Sequence, residues 1–308
     1  MVRPEKSCQA KADMRSQAPL YDQFLLFGDS ITEFAECHDG GYGFAAGLRD
    51  SYIRRLEVVN RGLSGYNTDM ALRVISKAIP RPDEGRIRLM TVFFGANDSC
   101  FPTESNNQCV PLPEFRSNLI KIIRNPVVAA HNPRIILITN PPVDERKQYI
   151  LDTAKGYPLR RTAENTMKYA EAIRNVGKSL NVPVVDIWTE IMLKAGWTPG
   201  QTEGLPGCRD VPPSDVLEEY LFDGLHLAPV GYHLLYDKIL ECIANTWPDQ
   251  LPENLPYVLP RWDDGDAWRL RGETDPRVIY HRPRAYVDPF TGAKVAGNGT
   301  QVAGNGTR

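Results

Sequence analysis

The stretch Phe24-Leu-Leu-Phe-Gly-Asp-Ser-Ile-Thr32 places four apolar residues directly before Gly28, Asp29 and Ser30. A short apolar run that ends at a turn of small residues is typical of a buried strand in a parallel sheet. Such a strand would present the Ser30 hydroxyl at the edge of the sheet. A serine hydroxyl is a weak nucleophile by itself, and it needs a base and donors for the oxyanion that forms when it attacks a carbonyl.

The candidate base lies far downstream, in the stretch Asp223-Gly-Leu-His226. Residues three apart in a turn or a first helical turn lie on one side of the chain. We therefore expect Asp223 to accept the Nδ1 proton of His226. The Nε2 atom of His226 is then free to take the proton from Ser30.

Candidate donors for the oxyanion follow two further strand-like runs, 57–60 and 89–94. Gly65 has no side chain, so its N–H can approach a substrate closely. Asn97 would carry its amide at the carboxyl end of a strand, where open α/β sheets bind ligands. With the N–H of Ser30, these groups form a predicted oxyanion hole.

Four sequence blocks contain these candidate residues: Gly28-Asp29-Ser30, Gly62-Leu-Ser-Gly65-Tyr-Asn67, Gly95-Ala-Asn97-Asp98 and Asp223-Gly-Leu-His226-Leu. They resemble those of the GDSL esterase group of the SGNH hydrolase superfamily, and the chain looks closest to its isoamyl acetate-hydrolysing esterase branch. The resemblance covers roughly residues 23–247. It implies that Ser30 is the nucleophile, that Asp223 and His226 are acid and base, and that Gly65 and Asn97 donate to the oxyanion. It also implies the strand order 2-1-3-4-5.

The pattern of strands and helices predicts an α/β fold, because apolar strand-like runs alternate with helical periodicity. Together with the resemblance, this gives a three-layer α/β/α sandwich around a five-stranded parallel sheet, flavodoxin-like in order. Thr68 or Asp69 is expected to cap the first well-marked helix. The predicted strands are 24–27, 57–60, 89–94, 134–139 and 182–187, and the predicted long helices are 68–79, 160–180 and 229–247.

The resemblance and the change in composition after residue 247 predict four regions: an N-terminal extension at 1–20, the hydrolase domain at 21–247, a C-terminal arm at 248–289 and a tail at 290–308. The tail repeats a short Gly-rich sequence, and we expect it to be disordered. The arm is rich in proline but carries Trp262, Trp268, Tyr280 and Tyr286. We expect these rings to pack on the hydrolase domain or on a second copy of the chain. Packing on a second copy would make the protein a homodimer.

Composition also argues against several classes of protein. The formal charge of -2 gives no basic surface for nucleic acid. No apolar run approaches the roughly 18 residues of a membrane span, and 1–18 has no apolar core typical of a secretory signal. Six cysteines without a C-x-x-C pair favour a cytoplasmic protein with free thiols, although a Cys100–Cys109 bridge stays open. No residue spacing suggests a metal or a nucleotide cofactor.

Each candidate residue also has a purely structural interpretation. Ser30 could cap a helix, Gly65 could be a turn residue, Asn97 could cap a loop, and His226 could be a surface histidine. For Asp29 we favour a structural role, with hydrogen bonds to turn amides. The arginine pairs 54–55 and 160–161 are interpreted as solvated surface.

The sequence therefore predicts a serine esterase without a cofactor, acting on a small-molecule ester of a short acid, acetate above all. A sugar O-acetyl esterase, a thioesterase or a lysophospholipase could use the same site. A binding or scaffold protein could use the cleft without turnover. Specificity is expected to lie in the loops 100–113 and 145–158.

Overall fold

A computed structural model describes residues 21–36, 40–103, 108–265, 267, 286–287 and 294–295. The predicted N-terminal extension lies outside these residues, as does most of the predicted arm and tail after residue 267. Trp268 and Tyr280, two of the four aromatic residues expected to pack, are among the residues outside.

A five-stranded parallel sheet forms the centre of the molecule, in the order β2-β1-β3-β4-β5. Both the predicted fold class and the strand order implied by the resemblance are confirmed. The strands are β1 Gln23–Gly28, β2 Glu57–Gly62, β3 Ile87–Phe93, β4 Arg134–Ile138 and β5 Val184–Val185. The fifth strand is shorter than predicted, because Asp186 caps a helix that begins at Ile187.

Helices cover both faces of this sheet. They are α1 Ser30–Glu33, α2 Phe44–Ser51, α3 Thr68–Ala78, α4 Leu112–Ile123, α5 Pro126–Ala129, α6 Glu145–Ala154, α7 Ala163–Leu180, α8 Ile187–Lys194, α9 Asp215–Tyr220 and α10 Pro229–Thr246. Short 3-10 turns follow α1 at Phe34–Glu36 and α10 at Pro248–Gln250 and Pro252–Asn254. Two short strands, β6 Tyr286–Val287 and β7 Lys294–Val295, pair antiparallel.

Side-chain alternation along β1 divides the core into two layers, since successive residues of a strand point to opposite faces. Phe24 and Leu26 pack with α1, α2, α8, α9 and α10, whereas Leu25 and Phe27 pack with α3, α4, α5 and α7. All four side chains are fully buried. A strand that is apolar on both faces needs helices on both sides, which is the arrangement expected of a parallel sheet.

The beginnings of two helices differ from the predictions. Asn67, and not Thr68 or Asp69, caps α3, because its side-chain oxygen accepts from the N–H of Met70 at 2.8 Å. The helix predicted from residue 160 begins at Ala163, with Thr162 as its cap. Residues 160–161 therefore lie in the loop that precedes α7.

The two segments expected to be specificity loops are partly helical. Residues 145–154 form α6, and the segment 100–113 runs into α4 at Leu112. Helix α6 was not predicted because its sequence, ERKQYILDTA, has few apolar residues at helical spacing. Asp144 begins this helix by accepting from the N–H of Arg146 at 2.9 Å.

The first part of the predicted C-terminal arm packs against α2 and the turn after it. The hydroxyl of Tyr52 donates to the carbonyl of Gln250 at 2.9 Å, and Leu255 joins the hydrophobic core. The guanidinium groups of Arg54 and Arg55 lie 4.6 and 4.2 Å from the ring centre of Tyr257. Cation–π contact of this kind holds the two arginines over the arm.

We expect Leu255→Ala to lower the free energy of unfolding by about 2–4 kcal/mol, because it removes a buried side chain and leaves a cavity. Leu259→Ala is the matched control, because Leu259 is 45% exposed. The control should change stability by no more than about 0.5 kcal/mol. Urea unfolding of both variants measures the difference, and equal effects would mean that the arm does not contribute to the core.

Candidate active site

Ser30 is the first residue of α1, immediately after the turn that ends β1. Asp29 caps this helix, and its Oδ1 accepts from the N–H of Ile31 at 3.0 Å. Asp29 therefore has the structural role expected of it, and the helix cap is not Ser30. A Cβ at Gly28 would lie 2.7 Å from the carbonyl oxygen of Phe93, so only glycine lets the chain turn this close to β3.

His226 lies beside Ser30, although the two are 196 residues apart in the chain. The Oγ of Ser30 is 2.8 Å from Nε2 of His226, and Nδ1 of His226 is 2.7 Å from Oδ2 of Asp223. The other oxygen of Asp223 accepts from the N–H of Leu225 and of His226. The imidazole is thereby held with Nδ1 toward the carboxylate and Nε2 toward the serine.

The ionised form of Asp223 is favoured in this arrangement. Burial opposes ionisation, but the hydrogen bond and the charge of His226, with two backbone N–H donors, lower the pKa of Asp223 to about 2. A carboxylate at neutral pH fixes the tautomer of the imidazole and stabilises an imidazolium that forms during reaction.

Gly65 and Asn97 lie in the same cleft as these three residues. Gly65 has a φ of +80°, in the left-handed region that residues with a Cβ rarely adopt. Asn97 is 5% exposed, and its Nδ2 donates to the carbonyl of Tyr66 at 3.0 Å. An amide nitrogen has two N–H donors, so one remains for a ligand.

The cleft has a volume of about 330 Å³, and its lining includes every residue predicted for the site. Those residues are Ser30, Gly65, Asn97, Asp223 and His226. Lys155, Arg160, Arg161, Gln108 and Gln148 also line it. The arrangement provides a hydroxyl, a base, a carboxylate and hydrogen-bond donors around one space, which is the set needed for acyl transfer.

A second cavity, of about 380 Å³, adjoins the cleft. Phe34 and His226 line both cavities, and their rings are 5.4 Å apart. The rest of the second cavity is mainly apolar, with Tyr42, Phe222, Leu227, Ala228, Pro229 and Tyr232. The site therefore combines a polar cleft with an apolar neighbour on the histidine side.

Two of the carboxyl groups buried close to the site, those of Asp29 and Asp98, have raised pKa values. Burial raises the pKa of Asp29 to about 6 and that of Asp98 to about 7, although hydrogen bonds to each carboxylate act in the opposite direction. Asp98 accepts from both the N–H and the hydroxyl of Thr68, which ties the loop of Asn97 to the start of α3. Sequence reasoning did not identify this role for Asp98.

Sequence reasoning also missed Arg161 and Gln108, and its interpretation of Arg161 as solvated surface is wrong. Arg161 is 3% exposed, and it donates to main-chain and side-chain oxygens of residues 96–97. The side chain of Arg160 is also largely covered, with 11% of it exposed, and it forms an ion pair with the buried Asp152. A pair of adjacent arginines carries no local signal of burial, so only tertiary packing reveals it.

The described residues contain no group of three or more His, Cys, Asp or Glu that could hold a metal ion. Within the same part of the chain, no helix is both long and apolar enough to span a membrane.

Comparison with known proteins agrees with the geometry. The profile of the GDSL-like Lipase/Acylhydrolase family matches residues 26–234, a stretch that contains every predicted site residue. The isoamyl acetate-hydrolyzing esterase 1 homolog of Mus musculus is 35% identical over 254 residues, which are 80% of this chain and 89% of the mouse protein. The isoamyl acetate-hydrolyzing esterase of Saccharomyces cerevisiae is 32% identical, over 79% of this chain and 95% of its own length.

Solved structures have a similar fold. The lipase/acylhydrolase from Enterococcus faecalis superposes with a TM-score of 0.50 at 24% identity, over 73% of this chain and 96% of the bacterial protein. At this level of identity the likeness supports the fold.

We expect the free energy of unfolding to fall as the pH rises from about 4 to about 7. The pKa values of Asp29 and Asp98 are higher in the folded state, so the stability these groups contribute is present below pH 4 and is lost as each ionises in the fold. For Asp98 the loss amounts to no more than about 4 kcal/mol. The stabilisation by Asp223 stays nearly constant over this range, because its pKa is lowered to about 2 in the fold and its contribution is lost only at lower pH.

The variant Asp98→Asn removes the ionisable group, and its stability should depend less on pH over this range. Asp69→Asn is the control, since that carboxylate is exposed and paired with Arg73 on the surface. Denaturant unfolding at pH 4.5, 6 and 8 measures the slopes. An unchanged slope in Asp98→Asn would contradict the prediction.

Proposed function

The chain belongs to the GDSL-like lipase/acylhydrolase family, and we propose that it is a serine esterase that hydrolyses short-chain carboxylic esters, acetate esters above all, through an acyl-enzyme on Ser30. Family membership makes it a carboxylic ester hydrolase. The observation that carries the proposed mechanism is the continuous hydrogen-bonded arrangement of Ser30, His226 and Asp223 inside one cleft.

In the first half of the reaction, His226 takes the proton of Ser30 at Nε2 while the serine oxygen attacks the ester carbonyl. The carbonyl becomes a tetrahedral oxyanion, and Asp223 stabilises the imidazolium. The imidazolium then donates its proton to the leaving alkoxide. The alcohol departs, and the acyl group stays on Ser30.

In the second half, a water molecule loses a proton to Nε2 of His226 and attacks the acyl-enzyme. The second tetrahedral oxyanion collapses, and the proton returns from His226 to the oxygen of Ser30. The acid is released and the free serine is restored. No step needs a cofactor.

The developing oxyanion would lie between the N–H groups of Ser30 and Gly65 and the Nδ2 of Asn97. Gly65 and Asn97 line the cleft together with Ser30, which supports this role. Donors fixed before the reaction need little reorganisation when the charge forms, and this is the usual source of the largest electrostatic contribution to such catalysis.

The preference for acetate esters is supported by the relatives, since the mouse and yeast proteins are named for hydrolysis of isoamyl acetate. The apolar second cavity suits an alkyl alcohol, because it is lined in part by His226, the residue proposed to protonate the leaving group. We propose that the acyl group is small and that the alcohol is a short branched or linear alkyl chain.

We further propose that the protein is cytoplasmic and forms a homodimer through the C-terminal arm. Cys100, Cys109, Cys208 and Cys242 are unpaired, which suits a reducing compartment. On the arm, Trp262 is 86% exposed and Leu259 45% exposed, which suits contact with a second copy. Sedimentation velocity of the purified full-length chain would measure the mass and thus test the dimer.

A panel of esters tests the substrate. We expect kcat/KM to be highest for acetyl esters and to fall about tenfold or more by the octanoyl ester, because a small acyl site excludes longer chains. Among acetates, alkyl acetates should be hydrolysed faster than acetylated sugars. Gas chromatography of the released alcohol measures each rate. Faster hydrolysis of acetylated xylose would favour a sugar O-acetyl esterase, and preference for octanoyl esters would contradict an acetyl preference.

Ser30→Ala and His226→Ala should each lower kcat by about 10⁴–10⁶-fold with the melting temperature retained. The double variant should be no more than about threefold worse than either single variant, because residues that act as one unit lose their effect together. Ser51→Ala is the matched serine control, since Ser51 bonds to Gly47 and Tyr236 away from the cleft. Multiplicative losses in the double variant would mean that His226 does not act on Ser30.

A further inference from the structure

We propose that Arg161 and Gln108 are positioning residues that hold the carboxamide of Asn97 with its oxygen turned into the protein and its nitrogen turned toward the cleft. This inference rests on the proposed function, because it concerns how the oxyanion donor is kept in its active orientation. We call the pair Arg161 and Gln108 the amide clamp.

Arg161 approaches the loop of Asn97 from the loop that precedes α7, 64 residues later in the chain. Its Nη2 donates to Oδ1 of Asn97 at 3.0 Å, and its Nε donates to the carbonyl of Ala96 at 2.7 Å. Both bonds are buried. Two bonds from one planar guanidinium fix the side chain and the main chain of the same loop relative to each other.

Hydrogen-bond chemistry defines which way the amide points. A guanidinium can only donate, so the atom of Asn97 that faces Arg161 must be the oxygen. The carbonyl of Tyr66 can only accept, so the atom that faces it, at 3.0 Å, must be the nitrogen. A flipped amide would lose both bonds, and it would present an acceptor to the oxyanion in place of a donor.

Gln108 completes the clamp and connects the two predicted donors. Its Nε2 donates to Oδ1 of Asn97 at 3.2 Å and to the carbonyl of Gly65 at 2.8 Å. The main-chain carbonyl of Gln108 accepts from the side chain of Asn67 at 2.8 Å, which anchors Gln108 at the start of α3. The amide of Gln108 therefore sets the spacing between the loop of Gly65 and that of Asn97.

The partners of Arg161 show that it is placed for this loop and not for a structural ion pair. Its hydrogen bonds in the described part of the chain go to neutral oxygens, those of Ala96, Asn97 and, at 3.5 Å, Gln148. Burial of a cation is costly, and a neutral set of acceptors compensates for it only in part. Its neighbour Arg160, in contrast, pairs with Asp152 at 2.7 Å.

A positive charge behind the Asn97 amide has a second consequence. Hydrogen bonds from a cation to Oδ1 draw electron density from the amide and make its N–H a stronger donor. The interaction strengthens as negative charge develops on the substrate oxygen. The clamp should therefore act on the transition state more than on bound substrate, and it should affect kcat more than KM.

The test uses the full chain and the variants Arg161→Met, Arg161→Lys and Gln108→Met, each alone and combined with Asn97→Ala. Steady-state kinetics with 4-nitrophenyl acetate give kcat and KM. Inhibition by a trifluoromethyl ketone reports on the oxyanion hole separately, because its adduct with the serine places a charged oxygen there. Melting temperatures identify variants that do not fold.

Arg161→Met should lower kcat by about 10–10²-fold. This loss is smaller than the loss of about 10²–10³-fold expected for Asn97→Ala, which removes the donor itself. KM should change less than about threefold, and the inhibition constant of the ketone should rise in proportion to the loss in kcat. Arg161→Lys should recover part of the loss, because its ammonium can donate to Oδ1 but lacks the rigid planar fork that bonds Ala96 and Asn97 together. Gln108→Met should lower kcat by about tenfold.

In the Asn97→Ala background, each clamp substitution should lower kcat by less than about twofold further, because the group that the clamp positions is absent. The control Arg174→Met removes a half-buried arginine of α7 that bonds Asp186 and Thr189 away from the cleft. It should leave kcat and the inhibition constant unchanged.

Three results would overturn the clamp. The first is a wild-type kcat in both Arg161→Lys and Gln108→Met, which is informative even if Arg161→Met does not fold. The second is a loss in kcat that multiplies with that of Asn97→Ala. The third is a rise in KM with normal kcat. Failure of the wild-type protein to hydrolyse any ester of the panel would instead overturn the proposed function, and with it any role of the clamp in the reaction.

Discussion

The parallel pairing of β1 with β2 and β3 fixes the edge of the sheet at which the cleft forms. Gly28 lies opposite Phe93 of β3 and opposite Gly62 of β2, so all three strands end at the same edge of the sheet. The segments that follow β1, β2 and β3 contain Ser30, Gly65 and Asn97, and these three residues meet in the cleft. A shift in the register of either pair would separate Ser30 from its neighbours, because each residue advances a strand by about 3.3 Å.

The polar groups beneath the cleft form a set of buried charges that the hydrophobic layers do not explain. Asp29 and Asp98 have raised pKa values, and the positive charge of Arg161 acts against that rise at Asp29. Buried ionisable groups that are only partly compensated reduce stability, and functional sites are where proteins retain them. Around this cleft they have a common effect, since each one fixes the main chain or a side chain next to a reacting group.

The site consists of two adjoining spaces of different polarity. The polar cleft contains the groups proposed to move protons and stabilise charge, whereas the adjoining cavity is mainly apolar. Phe34 and His226 separate the two spaces and belong to both. An ester carbonyl needs hydrogen-bond donors, but an alkyl alcohol gains affinity from apolar contact, so this division matches the two parts of an ester.

The sheet, its helical layers and the residues that meet in the cleft could be predicted from the sequence, because these depend on local signals: apolar runs, turn glycines and motifs that resemble a family. Glycine at 28 and the Asp223–His226 spacing are signals of this kind. The burial of Arg161 and the bonds of Gln108 could not be predicted in this way and are seen only in the folded chain. Their partners come from other segments of the chain, and an arginine in a loop has the same local sequence whether a neighbouring helix covers it or not.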